Sequence, residues 1–143
     1  MTTMAATPTI ATTTSATPGK IRNRVLWTLQ NVLGLFFIFA SGLPKFVGQA
    51  DAVRVFHQIG WGDWFMYFTG LVEVSGGIGL MVRRLTGPAA AGLSITMVLA
   101  AATQAFLLHA PALAPFPLVL VGVFAWIAYE RRASFSTFIN LVK

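Results

Sequence analysis

The segment Trp64-Phe-Met-Tyr-Phe-Thr-Gly-Leu-Val-Glu73-Val-Ser-Gly-Gly-Ile-Gly-Leu-Met-Val82 holds one carboxylate in the middle of an otherwise uncharged run. As a helix rising ~1.5 Å per residue it is about as long as the hydrocarbon core of a bilayer is thick. A charge at that depth is strongly unfavourable unless it is paired, hydrated or protonated, and an intramembrane acid marks a functional site by default. The rest of the chain has to supply whatever keeps Glu73 there.

Composition sets the class. With 56% hydrophobic and only 10% charged residues in 143, and a mean hydropathy of +0.74, a water-soluble domain would lack polar surface. The sequence therefore reads as an integral membrane protein. Four apolar stretches stand out, at about 25–43, 64–82, 88–108 and 112–129. They run without the period-two alternation of a membrane β-barrel, so the expected fold is all-α, a four-helix membrane bundle. The fourth stretch is short and borrows from Pro111 to Pro115 to cross. Residues 20–143 form the membrane domain. Residues 1–19, rich in Thr, Ala and Pro and devoid of apolar periodicity, are expected to be a disordered tail. Lys20 to Arg24 ahead of the first span is similar to a signal anchor, but Pro44 and Lys45 read as a helix end rather than a processing site, so retention is expected.

The net charge of +6 does not indicate nucleic acid, because the basic residues are distributed for topology. Lys20, Arg22 and Arg24 precede the first span, Arg83 and Arg84 separate the second from the third, and Arg131, Arg132 and Lys143 follow the fourth. Only Lys45 and Arg54 fall on the other side. The positive-inside rule then puts both termini in the cytoplasm, with Trp27, Trp126 and Tyr129 near the inner surface and Trp61 and Trp64 near the outer. Orientation is the simpler reading of the basic clusters, and an anionic-lipid site the alternative.

Cysteine is absent, which excludes thiol–disulfide exchange, thiolate metal sites, iron–sulfur clusters and covalent c-type haem. His57 and His109 both map to the outer side, not to facing helices, and no carboxylates stand at ligand spacing, so no metal site is expected.

Helical spacing gives Glu73 company. Met66, Thr69, Gly70, Gly76, Gly77 and Leu80 lie three or four residues from it or one further turn along, and Ser75 and Gly79 offer a second small-residue contact. The first span carries Asn31, Gly34, Ile38, Ser41, Gly42 and Lys45 on one face; the third carries Gly92, Thr96, Ala100 and Thr103, with Gln104 beside them. Gly42, Gly70, Gly76, Gly77 and Gly79 are the expected packing residues. Glu73, Lys45, Gln104, Thr103 and Ser41 are the candidate polar pocket. Lys45 is the charge partner for Glu73, although straight-helix arithmetic puts Glu73 about 14 Å below Trp64 and Lys45 near the outer end of its span. Contact requires Lys45 to bend inward or the loop to dip into the bundle. Two readings stay open, a structural polar network that fixes register and a ligand or proton site. Between the spans, Asp51 to Ile59 fits a short amphipathic helix with Val53, Phe56 and Ile59 on one face, closed by Gly60 and followed by Asp63 as a cap for the second span. It is placed to cover the bundle mouth.

Gly42-Leu43-Pro44-Lys45-Phe46, then Ile59-Gly60-Trp61, then Phe68-Thr-Gly-Leu-Val-Glu73-Val-Ser-Gly-Gly77-Ile-Gly-Leu80 resembles the DoxX-like membrane proteins. The resemblance spans about residues 24–132 and is sharpest over 42–80. Lys45, Glu73, Gly76 and Gly77 match the family's Lys after the first helix and its Glu followed by paired glycines. The resemblance implies a multi-pass protein of a bacterial or archaeal inner (plasma) membrane. The family takes its name from a subunit associated with a terminal quinol oxidase and thiosulfate:quinone oxidoreduction. A non-catalytic or quinone-facing subunit that supports a membrane oxidoreductase is therefore expected rather than a self-sufficient enzyme, with the bilayer and redox subunits as partners and a quinone as the candidate cofactor. The alternatives are a small-solute or proton transporter or channel acting through the same core, and a purely structural assembly partner.

Overall fold

The computed structural model describes residues 18–143, and the proposed tail falls almost entirely outside the described residues. Helix α1 (Pro18–Leu35) starts on a proline, whose fixed φ and missing N–H suit a first helical turn, so Pro18 and Gly19 belong to the helix rather than to the tail. It runs without a break through a π-helical segment, Phe36–Gly42, into α2 (Leu43–Phe46). Helix α3 (Ala50–Ile59) lies in the first connection and stops at Gly60, whose φ of +79° is the left-handed conformation that glycine adopts without penalty. Helix α4 (Asp63–Met81) follows, then α5 (Thr86–Ala102), which continues through a second π-helical segment, Thr103–Leu107. A 3₁₀ turn (Pro111–Leu113) leads into α6 (Pro115–Glu130), and α7 (Ala133–Val142) closes the chain. No strand occurs among the described residues.

Among the described residues, three helical stretches are long and apolar enough to cross a membrane: Gly19–Phe46, Thr86–Leu107 and Pro111–Glu130. Their outward faces are apolar, with Val32, Phe39, Ile95, Leu99 and Val119 all largely exposed. In water such a surface would drive aggregation; in lipid it is the solvent-facing side. The protein is a multi-pass helical membrane protein. Helix α4 has 19 residues but carries Asp63, Glu73 and four glycines, because it is the element that the others pack against.

Helix α4 touches α1, α2, the first π segment, α3 and α5, while α5 and α6 form the most extensive helix pair. Leu26, Phe37, Leu80, Leu93, Met97, Phe124 and Ile127 fill the interior, and the Phe37 and Phe124 rings meet edge-on at 5.3 Å. Association of helices in lipid gains little from hydrophobicity and depends on close van der Waals contact, which small residues allow. Here the contacts are backbone to backbone. A Cβ on Gly77 would stand 2.7 Å from the Gly34 carbonyl oxygen, and one on Gly70 would stand 3.3 Å from that of Gly42. Gly76 abuts Leu93 and Gly79 abuts Ala89, so the second face of α4 seats α5. Gly92 has open space around it: the inner face of α5 is Ala90, Leu93, Met97 and Ala101, one step round from the glycine.

Two features fall outside the expectation from sequence. Helix α7 packs on α5, with Ser134 Oγ accepting a 2.9 Å hydrogen bond from the Gly87 N–H and donating one of 2.7 Å to the Arg131 carbonyl. Asp63 does not cap α4 from the preceding position; Gly62 occupies that position, and the Asp63 carboxylate lies 3.3 Å from His57 Nε2 on α3.

Substituting Gly77 by Ala should cost about 1–3 kcal/mol, since the new methyl meets backbone on α1 and the helices must part. Ala at Gly122 of α6, where nothing lies within 4 Å, should be neutral or stabilising by up to about 1 kcal/mol through helix propensity. Thermal unfolding of both variants in one detergent measures the difference, and equal melting temperatures would refute the close-contact account.

Candidate functional site

Lys45 and Glu73 meet. Lys45 Nζ lies 2.5 Å from Glu73 Oε2 and donates to it, and also donates to the Ser41 carbonyl at 2.9 Å and to Ser41 Oγ at 3.4 Å. The ammonium has three N–H groups, and each has an acceptor. Both side chains are largely buried, at 13% and 6% exposure, so the pair sits where its attraction is little screened and where either charge alone would be costly.

The depth mismatch expected from straight helices is resolved by side-chain direction. The Gly34–Gly77 and Gly42–Gly70 contacts set an antiparallel register in which Lys45 lies level with Met66 or Tyr67. Glu73 is then six or seven residues deeper, about 10 Å along the axis. On an α-helix each Cα–Cβ bond leans toward the N-terminus. For Lys45 that direction is inward, along Ser41; for Glu73 on the antiparallel helix it is outward. The two side chains lean toward each other and close the gap. Lys45 fits because its neighbour across the interface is Gly70, which a Cβ would bring to 3.2 Å from Lys45 Cβ.

The pair borders a cavity of about 250 Å³. Helix α3 contributes Val55, Phe56 and Ile59; α4 contributes Phe65, Phe68, Thr69, Val72 and Glu73; α5 and its π segment contribute Thr96, Leu99, Ala100, Thr103 and Gln104. The covering helix is therefore as expected, but it presents Val55 rather than Val53. An aromatic cluster fixes it there, with Phe65 contacting Phe56 at 5.7 Å, Trp61 at 4.8 Å and Trp64 at 5.7 Å.

Polar groups in this cavity are not used up by the fold. Thr69 and Thr96 donate their hydroxyl protons to the carbonyls of Phe65 and Gly92, at 2.8 and 3.0 Å, which leaves their oxygens as acceptors. Gln104 Oε1 is buried without a partner among the described residues, and an orphaned buried amide is destabilising unless something else satisfies it. Both π-helical segments lie at this end of the bundle, one leading to Lys45 and the other carrying Thr103 and Gln104. Wide helical turns of this kind occur often at functional sites, because they re-aim side chains that a regular helix would turn away. Among the described residues no cluster of His, Asp or Glu could hold a metal ion.

The sequence pattern that defines the DoxX-like family matches residues 28–128 of this chain, a stretch that contains every residue lining the cavity. The chain belongs to the DoxX-like family. No curated protein and no solved structure matches it. Within this DoxX-like protein, Glu73, Lys45, Gln104 and Thr103 line one cavity, and Ser41 stands behind Lys45 as its acceptor. Asn31, placed by spacing on the inner face, instead donates to the Trp27 carbonyl at 2.8 Å on its own helix. Its neighbour Gln30 is the residue that is fully buried, with both amide atoms unpartnered among the described residues. The signal for Gln30 was its spacing from Leu26 and Gly34, four residues each way on the packed face.

Removing one member of the pair, as in Glu73→Ala or Lys45→Ala, should destabilise the fold by about 3–5 kcal/mol, because the remaining charge is buried alone. The double variant Lys45→Met/Glu73→Leu should recover most of that loss. Melting temperatures of the four proteins in one detergent form the cycle, and additive losses would show that the two residues are not coupled.

Proposed function

We propose that this DoxX-like protein is a quinone-facing membrane subunit that supports an oxidoreductase, with the Lys45–Glu73 cavity as the pocket for the carrier's head group. The observation that carries this reading is the unpartnered Gln104 Oε1 in an apolar cavity that also holds the buried ion pair. Apolar walls with a few convergent polar groups are the usual form of a small-molecule site. A cavity of about 150 Å³ accepts benzene, so about 250 Å³ has room for a substituted ring, and the lipid-facing helices offer a path for an apolar tail.

The residues fit such a group. Phe56, Phe65 and Phe68 provide aromatic walls for a ring. The unpartnered Gln104 Oε1 can accept from the hydroxyl of a reduced head group, a ring oxygen can replace Ser41 Oγ, the most distant of the three Lys45 acceptors, and Glu73 can hold a proton beside them. A bound quinone would supply two-electron, two-proton redox chemistry. The chain's own part is to bind and orient the head group, exclude water beneath α3 and keep a proton carrier within reach. The family association with quinol oxidation supports the same reading. In the accompanying topology, α4 is the second of four spanning segments, both termini are cytoplasmic, and the cavity opens toward the outer side of the bacterial inner membrane.

Gentle extraction from native membranes, followed by solvent extraction and chromatography, should find quinone bound to the wild type and reduced at least about tenfold in a Glu73→Gln variant brought to equal stability, the factor for one lost charge-assisted contact. No quinone in either protein would overturn the reading and leave transport or assembly through the same core.

Because the chain has no cysteine, single substitutions report topology directly. A membrane-impermeant maleimide applied to intact spheroplasts should label Gln58→Cys and leave Lys143→Cys unlabelled. The reverse pattern would invert the topology.

A further inference from the structure

At the other end of α1, about 27 Å from Lys45 at 1.5 Å per residue, lies a second and chemically different pocket. It has a volume of about 150 Å³ and is lined by Asn23, Trp27, Arg83, Thr86 and Arg131. Three separate segments meet there, the start of α1, the α4–α5 turn and the residue after α6. The Trp27 ring is flanked by two guanidiniums, with Arg83 Cζ at 4.9 Å and Arg131 Cζ at 5.6 Å from its centroid. Cation–π contacts of this kind hold both side chains in place.

The charges here are unbalanced. The chain has four carboxylate side chains, and all four are engaged elsewhere: Glu73 with Lys45, Asp51 with Arg54, Asp63 with His57, and Glu130 with Arg22 at 3.5 Å. Residues 1–17 contain no acidic residue to supply another. Arg131 Nε and Nη2 are shielded from solvent and have no acceptor among the described residues. Thr86 spends its hydroxyl proton on the carbonyls of Val82 at 3.0 Å and Leu80 at 3.3 Å, so its oxygen can only accept. Burial, and next the neighbouring Arg83, hold the Arg131 guanidinium below its ordinary proton affinity, with Glu130 opposing. A guanidinium stays charged at neutral pH even so. Arg131, with two shielded N–H groups unfilled and the like charge of Arg83 beside it, has no anion in contact.

We propose that this pocket binds a phosphate group, held by Arg83 and Arg131 on either side of Trp27, with the Asn23 amide completing the donor set. Guanidinium geometry matches phosphate oxygens in pairs, and basic pockets between helices at a membrane surface take phospholipid head groups. The site is independent of the quinone reading. It also lies at the margins of the family-matched stretch of 28–128, which leaves out Asn23, Trp27 and Arg131, so it is a property of this chain rather than of the pattern it shares.

The test is native mass spectrometry of the purified full chain in detergent carrying equal phosphatidylglycerol and diacylglycerol, which has the same tails and no phosphate. Wild type should retain phosphatidylglycerol in preference, and Arg83→Gln and Arg131→Gln should each lower that preference about tenfold, as expected for one lost charge-assisted contact. Arg84→Gln removes an exposed charge of the same sign outside the pocket and should change it little. Competition with inorganic phosphate separates the two sources. Loss of the bound lipid shows that free phosphate suffices, retention shows that the whole head group is recognised, and both support a phosphate site. If Arg131→Gln does not fold, Arg83→Gln and Trp27→Leu carry the test. Equal retention of the two lipids by wild type, or an equal loss in Arg84→Gln, would overturn the proposal.

Discussion

A lysine and a glutamate buried together in an apolar bundle constrain everything around them. The ammonium needs three acceptors and finds them in Glu73 and in the Ser41 carbonyl and hydroxyl. Each charge taken out of water must be repaid by its partner at close range, since little solvent is available to screen or replace it. Close range between two helices in turn requires small residues. Gly34 against Gly77 and Gly42 against Gly70 let α1 and α4 approach until backbones touch, and the antiparallel lean of the two side chains does the rest.

The same geometry leaves space. Because α1 and α4 are drawn together by glycines, the N-terminal end of α4 turns its larger side chains, Phe65 and Phe68, toward α3 and α5, and the volume between them is not filled by the fold. Helix α3 is held over that volume by the aromatic cluster on Phe65 rather than by chain connectivity alone. The opposite end is organised by cations. Trp27 gathers Arg83 and Arg131, Ser134 ties α7 to the start of α5 through the Gly87 N–H, and Arg22 reaches Glu130. One short chain thus presents an apolar pocket with an internal ion pair at one end and an electropositive pocket at the other.

Much of the candidate site was legible before any coordinates. Glu73 stands out because an acid in an apolar run must be paired, hydrated or protonated, and Lys45 follows by charge. Gln104 and Thr103 follow from helical spacing. What misled was distance along the helix axis, which treats side chains as points on a cylinder and ignores their lean toward the N-terminus. Gln30 and Asn31 show a second limit. Both are amides at adjacent positions, and a rotation of less than one residue about α1 decides which one is buried. Helix α7 went unread because its ten residues follow a pair of arginines, where a chain leaving the membrane is the simpler expectation.

Class and composition follow from the residues alone. Apolar runs of span length, one intramembrane acid and basic clusters between the runs require helices in lipid however those helices are arranged, because backbone satisfaction and side-chain transfer are local costs. Pairing is different. Lys45 and Glu73 are 28 residues apart, Asn23 and Arg131 meet across the length of the chain, and the helix register that joins each set depends on glycine contacts and π-helical turns summed over several helices. A shift of one residue in that register would separate every one of these partners, so only the packed structure could say which polar groups share a cavity.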